Sequence, residues 1–239
     1  MEIMQLVNTS TNELNAIEAL IKWALAELNI SDRGLIIYIT DDHNKVREVL
    51  GLETVHHEEW PIKYIRLDDI NIISVIPNKL LSLNYDEARI VVLREAALVK
   101  IMDDPTLISI WNPPPSINDE LVYRVSLALL KRTIDFVIAS SQTLTQYLIN
   151  AYNIDEMRNL ILACQSTIDC AVTALALDVP LSIEIAGNKG LGRSLWDNTI
   201  KGLSNEFYRR YDDFRDFVRN NFNIESTYNY LMMIFKRGY

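Results

Sequence analysis

The sequence predicts an α+β fold. An N-terminal helix, a small mixed sheet and a central buried helix are followed by a mainly α-helical C-terminal half. Three observations carry this. Short β-branched runs are confined to residues 35–76. A long apolar pattern of helical period fills residues 85–102. Beyond Trp111-Asn112-Pro113-Pro114-Pro115 helical periodicity predominates. Three prolines in a row cannot continue helix or sheet. The boundary is therefore expected there, between an α/β portion (1–112) and a helical portion (113–239) packed on it, with one continuous domain as the alternative.

Thr11-Asn12-Glu13-Leu14 opens a helix to about Leu28, with Ile17, Leu20, Ile21, Ala24 and Leu28 on one face. Residues 35–40, LIIYIT, form an apolar run that reads as an interior strand. Asp41, Asp42 and His43 follow, then a helix that Gly51 stops. Residues 62–67 and 70–76 read as two strands around Asp68-Asp69. Asp103-Asp104-Pro105 ends the central helix. Ser116-Ile117-Asn118-Asp119 has the form of a capping box and starts a helix to about Ala139. Residues 141–152 form a shorter helix, 155–177 a long apolar one, and 180–192 an irregular or briefly extended stretch. Residues 195–222 and 226–236 are the last two helices.

Hydrophobic residues make up 49% of the 239-residue chain, enough for a packed core. A net charge of −9 argues against a general nucleic-acid binder, which needs clustered Lys and Arg. No apolar run is long enough to span a bilayer, and MEIMQLVNTS lacks the parts of a signal peptide. A cytoplasmic protein is expected, and scarce Gly with abundant Ile suggests a thermophile. Cys164 and Cys170 lie six apart in a helical pattern and read as reduced core residues.

In the central helix Ile90, Leu93, Ala97 and Ile101 recur at helical spacing, with Val91, Leu98, Met102, Val92 and Val99 covering most of the rest. Arg94 and Glu95 project among these apolar neighbours. A charge so placed is costly unless paired, so the expectation is a nearly all-round buried helix with two sealed charges. The stretch IRLDDINIISVIPNKLLSLNYDEARIVVLREAALVKI resembles the strand, loop and active-site helix of zincin metallopeptidases. Members of that family carry H-E-x-x-H on the helix: two His bind zinc and the Glu is the general base. Here the motif falls on Arg94-Glu95-Ala96-Ala97-Leu98, with the Glu kept and both His positions replaced. The resemblance implies a degenerate member without zinc. It also implies a third-ligand position at Asp135, with Glu120 as the second choice. Arg94 is then expected to replace the metal ion and pair with Asp135 or another carboxylate. The plainer alternative is that Asp135 bonds a nearby Arg or backbone group.

Three further constellations carry chemistry. Asp41, Asp42 and His43 at a strand end, with His56, His57, Glu58 and Glu59, hold every His of the chain and are weak metal candidates. Asp42 is equally a helix N-cap and the group an exposed loop. Gly187-Asn188-Lys189-Gly190-Leu191-Gly192-Arg193-Ser194 mimics a phosphate loop with Arg193 in place of Lys. Only helices follow, which favours a helix–helix connection. Phe207, Tyr211, Phe214 and Val218 form an aromatic stripe that suits a core or a partner surface. No nucleophile arrangement is evident among the three His. The expected function is a catalytically inactive zincin-like scaffold with a structural or protein-interaction role. It needs no cofactor and no membrane, and a protein partner or homo-oligomer is the expected company. The competing class is a metal-dependent hydrolase or an anion-binding enzyme, using Asp41, Asp42 and His43 with Glu95, or the glycine loop.

Overall fold

A computed structural model describes residues 1–55, 59–113 and 119–235. The chain is α+β and divides into two compact units, Met1–Lys100 and Ile101–Tyr239.

The first unit is built on a four-stranded sheet of order β1-β2-β4-β3: β1 (Glu2–Gln5), β2 (Leu35–Ile39), β3 (Ile62–Leu67) and β4 (Ile70–Val75). β1, β2 and β4 are parallel, and β3 is an antiparallel edge strand on β4. β2 is interior, as its unbroken apolar run predicts. Alternation sets its two faces. Ile37, Ile39, Ile73 and Val75 are sealed on one side. Tyr38 and Ile72 join Ile65 and Val46 in a cluster on the other. Helix α1 (Thr11–Glu27) starts at Ser10, whose hydroxyl accepts from Glu13 N–H in a true capping box. It buries Ile17, Ile21, Ala24 and Leu25. α2 (His43–Val49) follows β2, and α3 (Pro77–Leu81) follows β4. β1 and α3 have no counterpart in the sequence reading.

The central helix α4 (Tyr85–Asp103) has the predicted length but not all-round burial. Its first turn is exposed. Ile90, Val92, Leu93, Ala96, Ala97, Val99 and Ile101 are buried, while Val91, Arg94, Glu95 and Leu98 are half-buried. Arg89 lies over the rings of Trp23 and Tyr85, at 4.3 and 3.9 Å. Lys100 Nζ donates to Leu28 O at 3.0 Å.

The second unit is helical among its described residues: α5 (Pro105–Trp111), α6 (Glu120–Ala139), α7 (Gln142–Ala151), α8 (Ile154–Ala163), α9 (Ile168–Leu177), α10 (Val179–Ile185), α11 (Lys189–Ile200), α12 (Glu206–Asn220) and α13 (Ile224–Ile234). Asp104 and Pro105, expected only to stop a helix, also cap and start α5. The N-cap of α6 is Asp119; Pro114, Pro115 and Ser116 to Asn118 lie outside the described residues. Three expectations are corrected. The long helix over 155–177 is two helices, α8 and α9, with a break at Cys164. The stretch expected to be irregular contains α10, because Pro180 sits in a first turn where its missing N–H costs nothing. The helix expected over 195–222 is α11 and α12, separated at Gly202, whose φ of 79° suits glycine.

Cys164 and Cys170 are not reduced core residues. They form a disulfide with Cα atoms 5.8 Å apart, across the turn from α8 to α9. The correction follows from the broken helix. On one continuous helix the two side chains diverge, but a turn brings them together.

Candidate functional site

The motif helix comes first. Arg94 and Glu95 are half-buried, so neither charge is sealed. Glu95 Oε2 accepts the backbone N–H of Tyr64, on edge strand β3, at 2.5 Å. In a zincin this carboxylate would serve a zinc-bound water; here it serves the sheet. Asp135 is buried, with Arg132 Nη2 2.8 Å from its Oδ2, one turn earlier on α6. Arg132 also donates to Ala176 O at 3.1 Å. This pairing with Arg132 is the local one that the plainer expectation describes. Glu120 is exposed in the first turn of α6. These residues do not fit zinc. A guanidinium and a leucine side chain offer no lone pair at the two His positions. Among the described residues, no group of three or more His, Cys, Asp or Glu is placed to hold a metal ion.

Asp41, Asp42 and His43 diverge. Asp41 is exposed and paired with Lys45 at 2.8 Å; its hydrogen bond to Lys45 holds its carboxyl below the usual range. Asp42 caps α2, accepting from Asn44 N–H at 2.9 Å. His43, expected on an exposed loop, is buried. Its Nε2 lies 2.8 Å from Trp60 O and its Nδ1 2.7 Å from Ser74 Oγ. A carbonyl only accepts, so Nε2 carries a proton. When the ring is neutral, Ser74 O–H therefore donates to Nδ1. This Ser–His pair, 31 residues apart in sequence, escaped the sequence reading. The only local signal was a lone Ser in an apolar strand. Both groups are sealed, and Ser74 is fully buried inside the sheet, so the pair ties α2 and Trp60 to β4 and offers a substrate no approach. His56, His57 and Glu58 lie outside the described residues; Glu59 is exposed.

The glycine loop is a helix–helix connection. Gly192 is buried in α11, and a Cβ there would fall 2.5 Å from Glu184 Cγ and 2.6 Å from Pro180 O. The glycine lets α11 approach α10 and has no need of a phosphate to explain it. Arg193 pairs with Asp197 at 2.9 Å and with Asp212 at 3.4 Å.

The densest electrostatic feature was not anticipated. Asp178, between α9 and α10, receives Arg215 Nε at 2.5 Å, Arg215 Nη2 at 3.2 Å, Tyr211 O–H at 3.0 Å and Leu181 N–H at 3.0 Å. Arg215 Nη2 also reaches Glu184 Oε1 at 3.0 Å, and Arg219 reaches Glu184 Oε2 at 2.8 Å. Arg215 lies over the Trp196 ring at 4.1 Å. Asp178, Glu184 and Arg215 are all 2% exposed or less. Burial opposes the charge on Arg215, but Asp178, Glu184 and Tyr211 together more than offset it and raise its pKa. Burial and then the Asp178 charge push the Tyr211 hydroxyl up. The aromatic stripe Phe207, Tyr211, Phe214 and Val218 is core, with 2% exposure or less. The cluster is bonded among its own helices and fixes how they pack.

No protein-family model, curated protein or solved structure matches the chain. Among the described residues, no helix is long and apolar enough to cross a membrane.

Proposed function

We propose that the chain is a non-catalytic protein whose first unit is a degenerate zincin-like scaffold, kept for a structural or protein-interaction role. The observation that carries this reading is the engagement of Glu95. The carboxylate that would act as general base accepts a backbone N–H of β3 at 2.5 Å. The two positions flanking it in the motif hold Arg94 and Leu98, which cannot take the part of imidazole. An antiparallel edge strand, the strand beside it and the helix that follows also agree with the resemblance. No observation favours the alternative enzyme: Asp41, Asp42 and His43 face three different partners, and Gly192 is accounted for by packing.

Disulfides persist in oxidising compartments and also inside hyperthermophiles. A cytoplasmic site for this chain therefore goes together with the thermophile reading.

Elemental analysis of the purified protein tests the proposal. Zinc and manganese well below one per chain are expected, unchanged by Glu95→Ala. Stoichiometric zinc that is lost in Glu95→Ala or Asp42→Ala would overturn it.

A further inference from the structure

We propose that the Cys164–Cys170 disulfide is a redox-sensitive latch: a dithiol reductant opens it while the second unit stays folded, and the start of α9 then loosens. The latch lies in the second unit and is independent of kinship with peptidases.

The bridge joins the C-cap residue of α8 to the third residue of α9. The two cysteines lie six residues apart, so the loop they close is short and restricts the unfolded chain less than a long one would. Little of the unit's stability should therefore hang on it. Burial holds the two helices without it: Met157 and Ile161 of α8, and Ile168, Ala171 and Leu175 of α9, are all 3% exposed or less. The turn between them is at the surface. Both cysteines are half-buried, and Leu162, Ala163, Gln165 and Asp169 around them are exposed, so a small thiol can approach.

Opening is a thiol–disulfide exchange. A thiolate of the reductant bonds to Cys164 Sγ as the S–S bond breaks, and the electron pair leaves on Cys170 Sγ. The reductant's second thiolate then attacks its own sulfur in this mixed disulfide and releases Cys164. Two electrons and two protons pass to the protein, and the reductant ends as a disulfide. Cys170 is the better leaving group because it sits in the first turn of α9, where N–H groups and the helix dipole favour negative charge. Once open, the turn keeps weak ties. Thr167 Oγ1 caps α9 through the Cys170 N–H at 3.4 Å, a long bond, and Ala171 N–H reaches Thr167 O at 3.2 Å. The Arg124–Asp169 pair, which ties α9 to α6, is exposed and adds little. The first turn of α9 is thus the segment that gives.

The test is reduction of the native protein with dithiothreitol, without denaturant. Both cysteines should become open to alkylation, read by mass, with the far-UV helix signal retained. Backbone amide exchange at Cys170 and Ala171 should become about tenfold faster. Exchange at Leu181, whose N–H is held by Asp178, should not change. Reoxidation should restore the slow exchange, and the double variant Cys164→Ser with Cys170→Ser should match the reduced protein without any reductant. A bridge reduced only after denaturant has unfolded the chain overturns the proposal. So does reduction that abolishes the helix signal, or that leaves exchange at Cys170 and Ala171 unchanged, and so does a double variant that folds but keeps the slow exchange.

Discussion

The charges of the two units meet the same difficulty in opposite ways. On α4, Arg94 and Glu95 are only partly buried, and Glu95 makes a hydrogen bond to a strand edge. Around Asp178, two carboxylates and the Arg215 guanidinium are withdrawn from water, and each carboxylate is bonded through both oxygens. The first arrangement leaves solvent to share the cost of charge. The second must meet nearly all of it with partners, because a buried charge that loses its partner keeps its desolvation penalty. Stability should therefore depend steeply on the second cluster and shallowly on the first.

The largest effect should come from Arg215→Met. The change retains much of the apolar volume beneath Trp196 but leaves Asp178 without its cation and Glu184 with Arg219 alone. A loss of about 3–5 kcal/mol in denaturant unfolding is expected. A loss under about 1 kcal/mol would mean that water reaches Asp178, and the contrast between the units would collapse.

Gly192→Ala sharpens the comparison from the packing side. The new Cβ would fall within 2.6 Å of Pro180 O and 2.5 Å of Glu184 Cγ. Backbone does not yield as a side-chain end does, so α10 and α11 must part, carrying Glu184 away from Arg215. A cost of about 1–3 kcal/mol is expected, read as a lower melting temperature. If Arg219→Ala were then to add its full separate cost, Glu184 would not have moved; shared elements predict less than the sum.

What was legible in the sequence follows from range. β2, β3, β4, α1, α4 and α6 each carry enough periodic residues to declare themselves. β1 has four residues and no alternation, and its partner lies across the whole of α1. α3, α5 and α10 are short and carry a proline at their first or second residue, where it reads first as a stop. The disulfide is hidden because the apolar periodicity of residues 155–177 runs on across the turn between α8 and α9. The sealed network was hidden because Arg215 meets Asp178 and Glu184 at separations of 37 and 31 residues. A local signal existed: Arg215 lies four residues beyond Tyr211 and beside Phe214, within the buried stripe and not opposite it. On α4 sequence proximity misleads in the opposite direction. Apolar neighbours flank Arg94 and Glu95 in sequence, but a side chain on a partly covered helix can leave that face, as Glu95 does for a strand edge.

Arg94→Ala should have the smallest effect, and it is the variant most able to break the comparison. A sealed arginine standing in for a metal ion would cost several kcal/mol to remove, as Arg215 should. A partly buried one keeps some access to solvent, and its loss should cost no more than about 1 kcal/mol. The carboxylate beside it retains the Tyr64 N–H in either case, so the amide protection at Tyr64 should survive the substitution. Denaturant unfolding of Arg94→Ala next to Arg215→Met decides the matter directly. Equal losses would mean that α4 holds a sealed charge after all, and the cation-for-zinc reading of that helix would regain its physical basis.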